Sequence, residues 1–358
     1  MNSFFTKDAD WLNKWDIFLK NENRGNHLLY SDWLSSYKSY GFDFEVFIVL
    51  NNTNEIVGGF GAVIAKSLIF KFYIVPIGPI FNIGFEHEIH STITQIKIQS
   101  TKLGCCYVQF KLPIIKEKIN FQYAYLNQNL LNNDLNFQFG NLFKHVYSSN
   151  GFNWVSFDGC NSSQDLLTQF SVQVRRNINI SLKINADISF AETLDDCQLA
   201  YEIIQINANE NNYSVRLFDD FKNTILSLIQ KNLAFMMVVK INNQIKGSAF
   251  VVNCGNHYTY ITGGTFKEKP DLKIGYLLHW KIIEKSFEMG FLGYNISLGG
   301  SKGVVDFKAK FNTETFLFAN DAQYLIFKPI YFKLYLLLKS MLKNNKKSIS
   351  KILKFLSK

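Results

Sequence analysis

One order of elements, met twice along the chain, limits the fold more than any single motif does. Over residues 11–110, apolar periodicity predicts helices at Trp11–Lys20 and Ser31–Tyr40 and strands at Phe44–Leu50, Glu55–Ala65 and Ser67–Val75. A helix at Phe85–Leu103 and a strand at Cys105–Phe110 complete the set. Asn51-Asn52-Thr53-Asn54 marks a hairpin, and Gly104 stands where a helix-ending glycine is expected. The same order returns as helices Leu199–Asn209 and Val215–Lys231 and strands Leu233–Ile241, Gln244–Asn253 and His257–Thr262. Helix Leu272–Met289 and strand Gly293–Leu298 close it. An antiparallel meander that feeds a crossover helix and another strand is an α/β pattern of the α+β mixed-sheet kind. The repetition predicts two related domains, 1–150 and 151–322, followed by a tail, 323–358. With 358 residues, each half is long enough to bury its own core. Between the halves, Asn120–Gly159 reads as an extended connection, Gln164–Leu182 as a helix carrying Arg175-Arg176, and Asp187–Glu192 as a strand.

Charge is informative once it is located. Nine lysines and no acid lie between Lys328 and Lys358. The remainder carries 29 Lys+Arg against 29 Asp+Glu, so the net charge of +9 belongs to the tail. A basic body of the kind that binds nucleic acid is therefore excluded. Five scattered cysteines predict reduced thiols, with no disulfide framework and no zinc site. No basic-then-apolar leader opens the chain, and no window offers about 18 uncharged apolar residues. A cytoplasmic protein without a spanning helix is expected, and no resident cofactor or metal.

No self-contained catalytic motif is present: there is no phosphate-binding loop, no G-x-S-x-G and no H-E-x-x-H. A set of weaker elements occurs in one order instead. They are Leu29-Tyr30-Ser31-Asp32-Trp33 with Lys38, Ile56-Val57-Gly58-Gly59, Pro76-Ile77-Gly78-Pro79, and Gln173-Val174-Arg175-Arg176-Asn177-Ile178. The last is Gly303-Val304-Val305-Asp306-Phe307-Lys308-Ala309-Lys310-Phe311. Together, over roughly residues 10–318, they resemble the Fem family of peptidoglycan-bridge aminoacyltransferases.

That resemblance implies two tandem GNAT-like domains and an acyltransferase. The reaction expected is direct transfer of an acyl or aminoacyl group onto an amine of a lipid-linked or nucleotide-linked sugar precursor of the cell envelope. Lys308 would stabilise the charge that develops on the carbonyl oxygen. Phe307 would supply a flat wall, and Arg175, Arg176 and Lys38 would hold acceptor phosphates. The donor stays open between aminoacyl-tRNA and acyl-CoA or another carrier. Where CoA-using enzymes of this fold carry [QR]-x-x-G-x-[GA], this chain has Asp271-Leu272-Lys273-Ile274-Gly275-Tyr276. Peptidoglycan and other surface glycans stay open as acceptors. The alternative is a non-catalytic, membrane-associated protein that binds a glycan precursor.

The tail predicts a basic amphipathic helix. At about 100° per residue its lysines fall within an arc of about 140°, opposite Ile330, Leu334 and Leu337, whereas Phe332 and Leu336 break the pattern. Such a helix lies in an anionic headgroup region, and would put the enzyme on the inner face of the cytoplasmic membrane. The competing expectation is that its first half packs on the second domain.

Overall fold

The computed structural model describes residues 1–67, 69–115, 123–125 and 137–344. The first sheet opens with an edge strand, β1 (Asn2–Thr6), that the sequence reading omits; Phe4 and Phe5 of it pack on Trp11 and Phe47. Helix α1 (Ala9–Asn21) starts at Asp8, whose side chain accepts from the amides of Asp10 and Trp11. Helix α2 (Ser31–Ser35) tightens into a 3₁₀ turn, Ser36–Tyr40, that carries Lys38. Strands β2 (Asp43–Leu50), β3 (Ile56–Ser67), β4 (Phe70–Val75) and β5 (Ile80–Phe81) lead to helix α3 (Ile89–Lys102), then β6 (Tyr107–Phe110) and β7 (Gln138–Phe139).

The second sheet begins at β8 (Gly151–Ser156), followed by helices α4 (Ser163–Gln169) and α5 (Val172–Leu182) and strand β9 (Asp187–Phe190). Helices α6 (Leu194–Glu210) and α7 (Phe218–Gln230) precede the meander β10 (Ala234–Ile241), β11 (Gln244–Cys254) and β12 (His257–Thr265). The tight turn between β10 and β11 uses Asn242 and Asn243, both at positive φ, as a two-residue hairpin requires. Helix α8 (Ile274–Glu288), strand β13 (Gly293–Asn295), helix α9 (Lys302–Ala309) and strand β14 (Glu314–Leu317) follow. The chain then returns to the first sheet as β15 (Gln323–Ile326) and ends its described part in helix α10 (Pro329–Asn344).

Strand order is β1-β2-β3-β4-β6-β15-β7 in the first sheet and β14-β8-β13-β12-β11-β10-β9 in the second. Each has one parallel pair, β4 with β6 and β12 with β13, where the crossover helix rejoins the meander. Three parts of the sequence reading need correction. The segment Phe152–Phe157, read as connection, is mostly β8, an inner strand paired with β13 and β14. Helix Gln164–Leu182 is two helices, because Phe170 turns extended and Ser171 caps the second. Residues 323–326, assigned to the tail, pair with β6 instead.

The two domains pack as one unit. A single apolar core runs from Trp15 and Trp33 to Tyr201, Phe221 and Phe250. Polar ties cross the same boundary: Lys231 pairs with Asp32 at 2.7 Å, Ser227 donates to Asp32 at 2.9 Å, and the Tyr30 hydroxyl donates to Asn253 O at 2.5 Å. Burial raises the carboxyl of Asp16, beside this tie, to about 6.

Candidate active site

The second sheet opens where its parallel pair ends. Strand β12 keeps regular register with β11 from His257 to Tyr260, then shifts, leaving Ile261 as an extra residue before the register resumes at Thr262. Such a bulge bends the strand and raises its twist. Its consequence is that β12 and β13 pair at Tyr258–Tyr294 and Thr259–Asn295 and then part. Helix α9 brings Lys308 back to the end of this split. Its Nζ donates to Ser297 O at 3.1 Å, Ser297 Oγ at 2.8 Å and Gly299 O at 2.7 Å, and stands 5.3 Å from the Tyr260 ring. Lys308 is 2% exposed, whereas Ser297 is half-buried and Gly299 exposed, so the split is reached from the strand-end side.

The rings of Tyr260 and His279 stand beside this lysine. Burial pulls its pKa down to about 8. Phe307 meets Tyr276 edge-on at 4.9 Å and lies 5.6 Å from His279. His279 is itself buried, its Nδ1 3.0 Å from the Tyr294 hydroxyl, and burial, with the Lys308 charge, lowers it to about 3. It is a neutral imidazole packed behind the lysine. Burial pushes the Tyr260 phenol up, and the neighbouring Tyr213 adds to it. Among the described residues, no three His, Cys, Asp or Glu side chains converge to hold a metal.

The first domain has no equivalent opening. Strands β4 and β6 stay paired through four positions, Phe72–Tyr107 to Val75–Phe110, and Gly78 N continues the line to Lys111 O at 2.7 Å. Among the described residues, a parallel-strand split is thus seen in the second domain and not in the first.

Phe307 and Lys308 lie next to each other on α9, the first packed on Tyr276 and the second bonded to Ser297 and Gly299. Lys38 lies in the other domain, exposed, with its ammonium 5.2 Å from the Phe44 ring. Arg175 and Arg176 sit on α5, which packs against α8, one half-buried and one exposed. Sequence reasoning misses Arg216. Its guanidinium lies 4.7 Å from Tyr37 and 4.9 Å from Phe221, and Nη1 donates to Ser36 Oγ at 2.5 Å. It therefore joins Lys38 at the Ser36–Tyr40 turn, on the rim between the domains. The segment that holds it, between α6 and α7, also carries Tyr213, so this rim and the Tyr260–Lys308 split share one strap. No local motif surrounds Arg216, and its role is set by a contact 180 residues away in sequence.

At the start of α8 the phosphate-binding arrangement of CoA-using relatives is absent. Asp271 Oδ1 accepts from Lys273 N at 2.9 Å, and Lys273 Nζ pairs with Asp271 Oδ2 at 2.7 Å. Asp271 thus ties down the loop before the helix, and no side chain caps the first turn of α8 itself.

Residues 173–308 match the family profile of the acetyltransferase (GNAT) domain, a span that ends on Lys308. Residues 173–308 form a GNAT acyltransferase domain. The whole chain also superposes on the crystal structure of FemX with a TM-score of 0.75 at 13% identity, over 93% of this chain and 99% of that one. Two further structures share the fold. The C-terminal domain of a putative lysylphosphatidylglycerol synthetase from Agrobacterium fabrum aligns at a TM-score of 0.54 and 12% identity, over 93% of this chain and 97% of that one. L-PGS from Bacillus licheniformis aligns at 0.50 and 12% identity, over 90% and 91%. No curated protein matches by sequence. The tandem GNAT-like architecture that the family resemblance implies is therefore the one observed.

Proposed function

We propose that this chain transfers an acyl group, aminoacyl in the first instance, onto an amine of a lipid-linked or nucleotide-linked cell-envelope precursor. The observation that carries this reading is the buried ammonium of Lys308 at the end of the β12–β13 split. Attack of an amine on an ester places negative charge on the carbonyl oxygen, and a fixed cation in a dry site lowers that barrier. Phe307 walls the split and orients the acyl group. The departure of Asp271–Tyr276 from the [QR]-x-x-G-x-[GA] pattern speaks for an aminoacyl-tRNA or another carrier over CoA as donor. FemX and the lysylphosphatidylglycerol synthetases lend the reading support as neighbours in fold. The alternative, binding without catalysis, is favoured by the closed first-domain pair; the half-buried Ser297 beside Lys308 speaks against it.

Lys38, joined by Arg216 at the rim, and the pair Arg175-Arg176 are the cations available for acceptor phosphates. Replacing Arg175 and Arg176 together by alanine is expected to raise the acceptor KM and flatten its dependence on ionic strength. Unchanged acceptor affinity across salt concentrations returns the pair to a solvated helix face.

The acceptor also suggests a place. Helix α10 docks on the first domain, not the second: Phe332 and Tyr335, on the lysine side of the helix, bury against Tyr107 and Phe72 at 5.0 and 4.7 Å. Two residues that interrupt or flank the amphipathic pattern thus serve as anchors, and the apolar stripe turns outward. Ile330 is 82% and Leu337 62% exposed, with Leu334 between them. Beyond 344 the tail lies outside the described residues. No described helix is long and apolar enough to cross a membrane. We place the protein on the inner face of the cytoplasmic membrane through this stripe and its lysines. Flotation with anionic liposomes tests it on the full chain, since truncation after Tyr324 cuts into β15. Replacing Ile330, Leu334 and Leu337 by glutamine is expected to abolish flotation at low salt, and equal flotation of both proteins contradicts the placement.

The function itself is tested by extracting lipid-linked glycan intermediates from cells with and without the gene, and counting their free amines. One amine lost together with a fixed mass gained names the acyl group; identical extracts overturn the proposal.

A further inference from the structure

Lys308 has no spare donor. An ammonium has three N–H groups, and they go to Ser297 O, Gly299 O and Ser297 Oγ. The two carbonyls are backbone. Only the hydroxyl can rotate, and only it can both accept and donate. A substrate oxygen reaches this lysine by taking the place of Ser297 Oγ.

The backbone at Ser297 carries a second sign. Its φ is +66°, in the left-handed region that costs a residue with a Cβ about 1–2 kcal/mol. Of the ten non-glycine residues at positive φ among the described residues, eight are asparagine, and the others are Lys273 and Ser297. The chain's habit at such positions is asparagine or glycine, so serine here is not explained by the turn. The turn is also held from outside: Asn295 Oδ1 accepts from Ser297 N at 3.0 Å, while Asn295 Nδ2 donates across the split to Thr259 Oγ1 at 3.3 Å. Ser297 is half-buried beside a buried lysine, which makes it the member of the pair that a ligand touches first.

We propose that Ser297 is the second donor of the oxyanion site. In the resting protein its hydroxyl holds the third N–H of Lys308. When an acyl carbonyl enters the split, its oxygen takes that N–H, and the hydroxyl turns to donate its own O–H to the same oxygen. Ser297 forms no covalent bond and loses no proton. The N–C bond forms as the bond from the acyl carbon to the departing oxygen or sulfur breaks, and one amine proton ends on the departing atom. This rests on the reading that Lys308 stabilises the acyl oxyanion. The groups facing Lys308 are Tyr260 from β12, His279 from α8 and, through His279, Tyr294 from β13.

Ser297→Gly removes the hydroxyl and relieves the backbone. The assay is the rate at which purified protein adds the gene-dependent mass to membranes from cells lacking the gene. That rate is expected to fall about 10- to 100-fold, with Tm equal to or above the parent. A rate within about twofold of the parent, or a loss matched by a lower Tm, overturns the proposal. If the glycine variant does not fold, Ser297→Asn suits the same backbone and offers an amide donor. It is expected to keep more than about a tenth of the rate, and a folded but inactive asparagine variant overturns the proposal. A parent protein that adds no mass defeats the proposed function instead. An independent reading remains in that case: NMR titration of ε-carbon-labelled lysine follows Lys308 directly. Loss of an acceptor is expected to lower its midpoint in Ser297→Gly, and an unmoved midpoint overturns the proposal.

Discussion

Lys308→Met is expected to lower turnover by a factor of about 10² or more, since one preorganised oxyanion donor is typically worth that much. Methionine is the informative replacement because the structure alters what alanine would report. Either replacement leaves Ser297 O and Gly299 O without their donor, but alanine would also open a cavity, mixing lost folding with lost chemistry. Methionine keeps most of the volume while removing the charge. The lysine also predicts two pH trends of opposite sign. Catalysis needs the ammonium, so it falls as pH rises through about 8, the value to which burial lowers Lys308. Stability moves the other way. The unfolded lysine stays protonated to 10.5, so between these values the unfolded chain binds more protons, and raising the pH favours the folded state. A turnover rate in Lys308→Met near that of the parent, with an unchanged alkaline limb, removes Lys308 from the chemistry.

Gly59→Ala is expected to cost at least about 3 kcal/mol. Gly59 has φ +148°, where an L side chain is strained, and an added Cβ would stand 2.0 Å from Phe47 O on the neighbouring strand. That oxygen belongs to the β2–β3 ladder and cannot swing aside as a side chain would. The Trp15 ring, at 3.2 Å, closes the other direction. Trp15 is fully buried and its indole donates to Leu29 O at 2.9 Å, so it cannot yield without loss. Chemical denaturation of the variant checks this; a midpoint within about 0.5 kcal/mol of the parent contradicts it.

What the sequence made legible is what local physics controls. The twofold order of helices and strands and the hairpin turns depend on neighbours in the chain, and the structure supplies their reasons. The element around Phe307 and Lys308 was legible by resemblance; Lys308 bonds Ser297 and Gly299, and Phe307 packs on Tyr276 and His279. What escaped depends on partners far away in sequence. Strand β8 pairs with residues some 140 positions later, β15 returns to a sheet begun at Asn2, and Arg216 is defined by Ser36. No hairpin rule reaches those distances. Ser297 escaped for a different reason, since its value lies in a backbone angle and in the count of N–H groups on Lys308. Phe332 was read as a flaw in the helix because amphipathicity assumes one contact face, and here the aromatics on the lysine side are the contact.

The central claim is that acyl transfer takes place at the second domain's strand split. Its most direct test is the mass of lipid-linked envelope intermediates from cells that carry the parent gene, Lys308→Met, or no gene. Transfer at this split predicts a fixed mass gain with the parent gene alone, and intermediates from Lys308→Met cells that match those lacking the gene. The same gain in Lys308→Met cells, with the variant folded and present at parental levels, would contradict it.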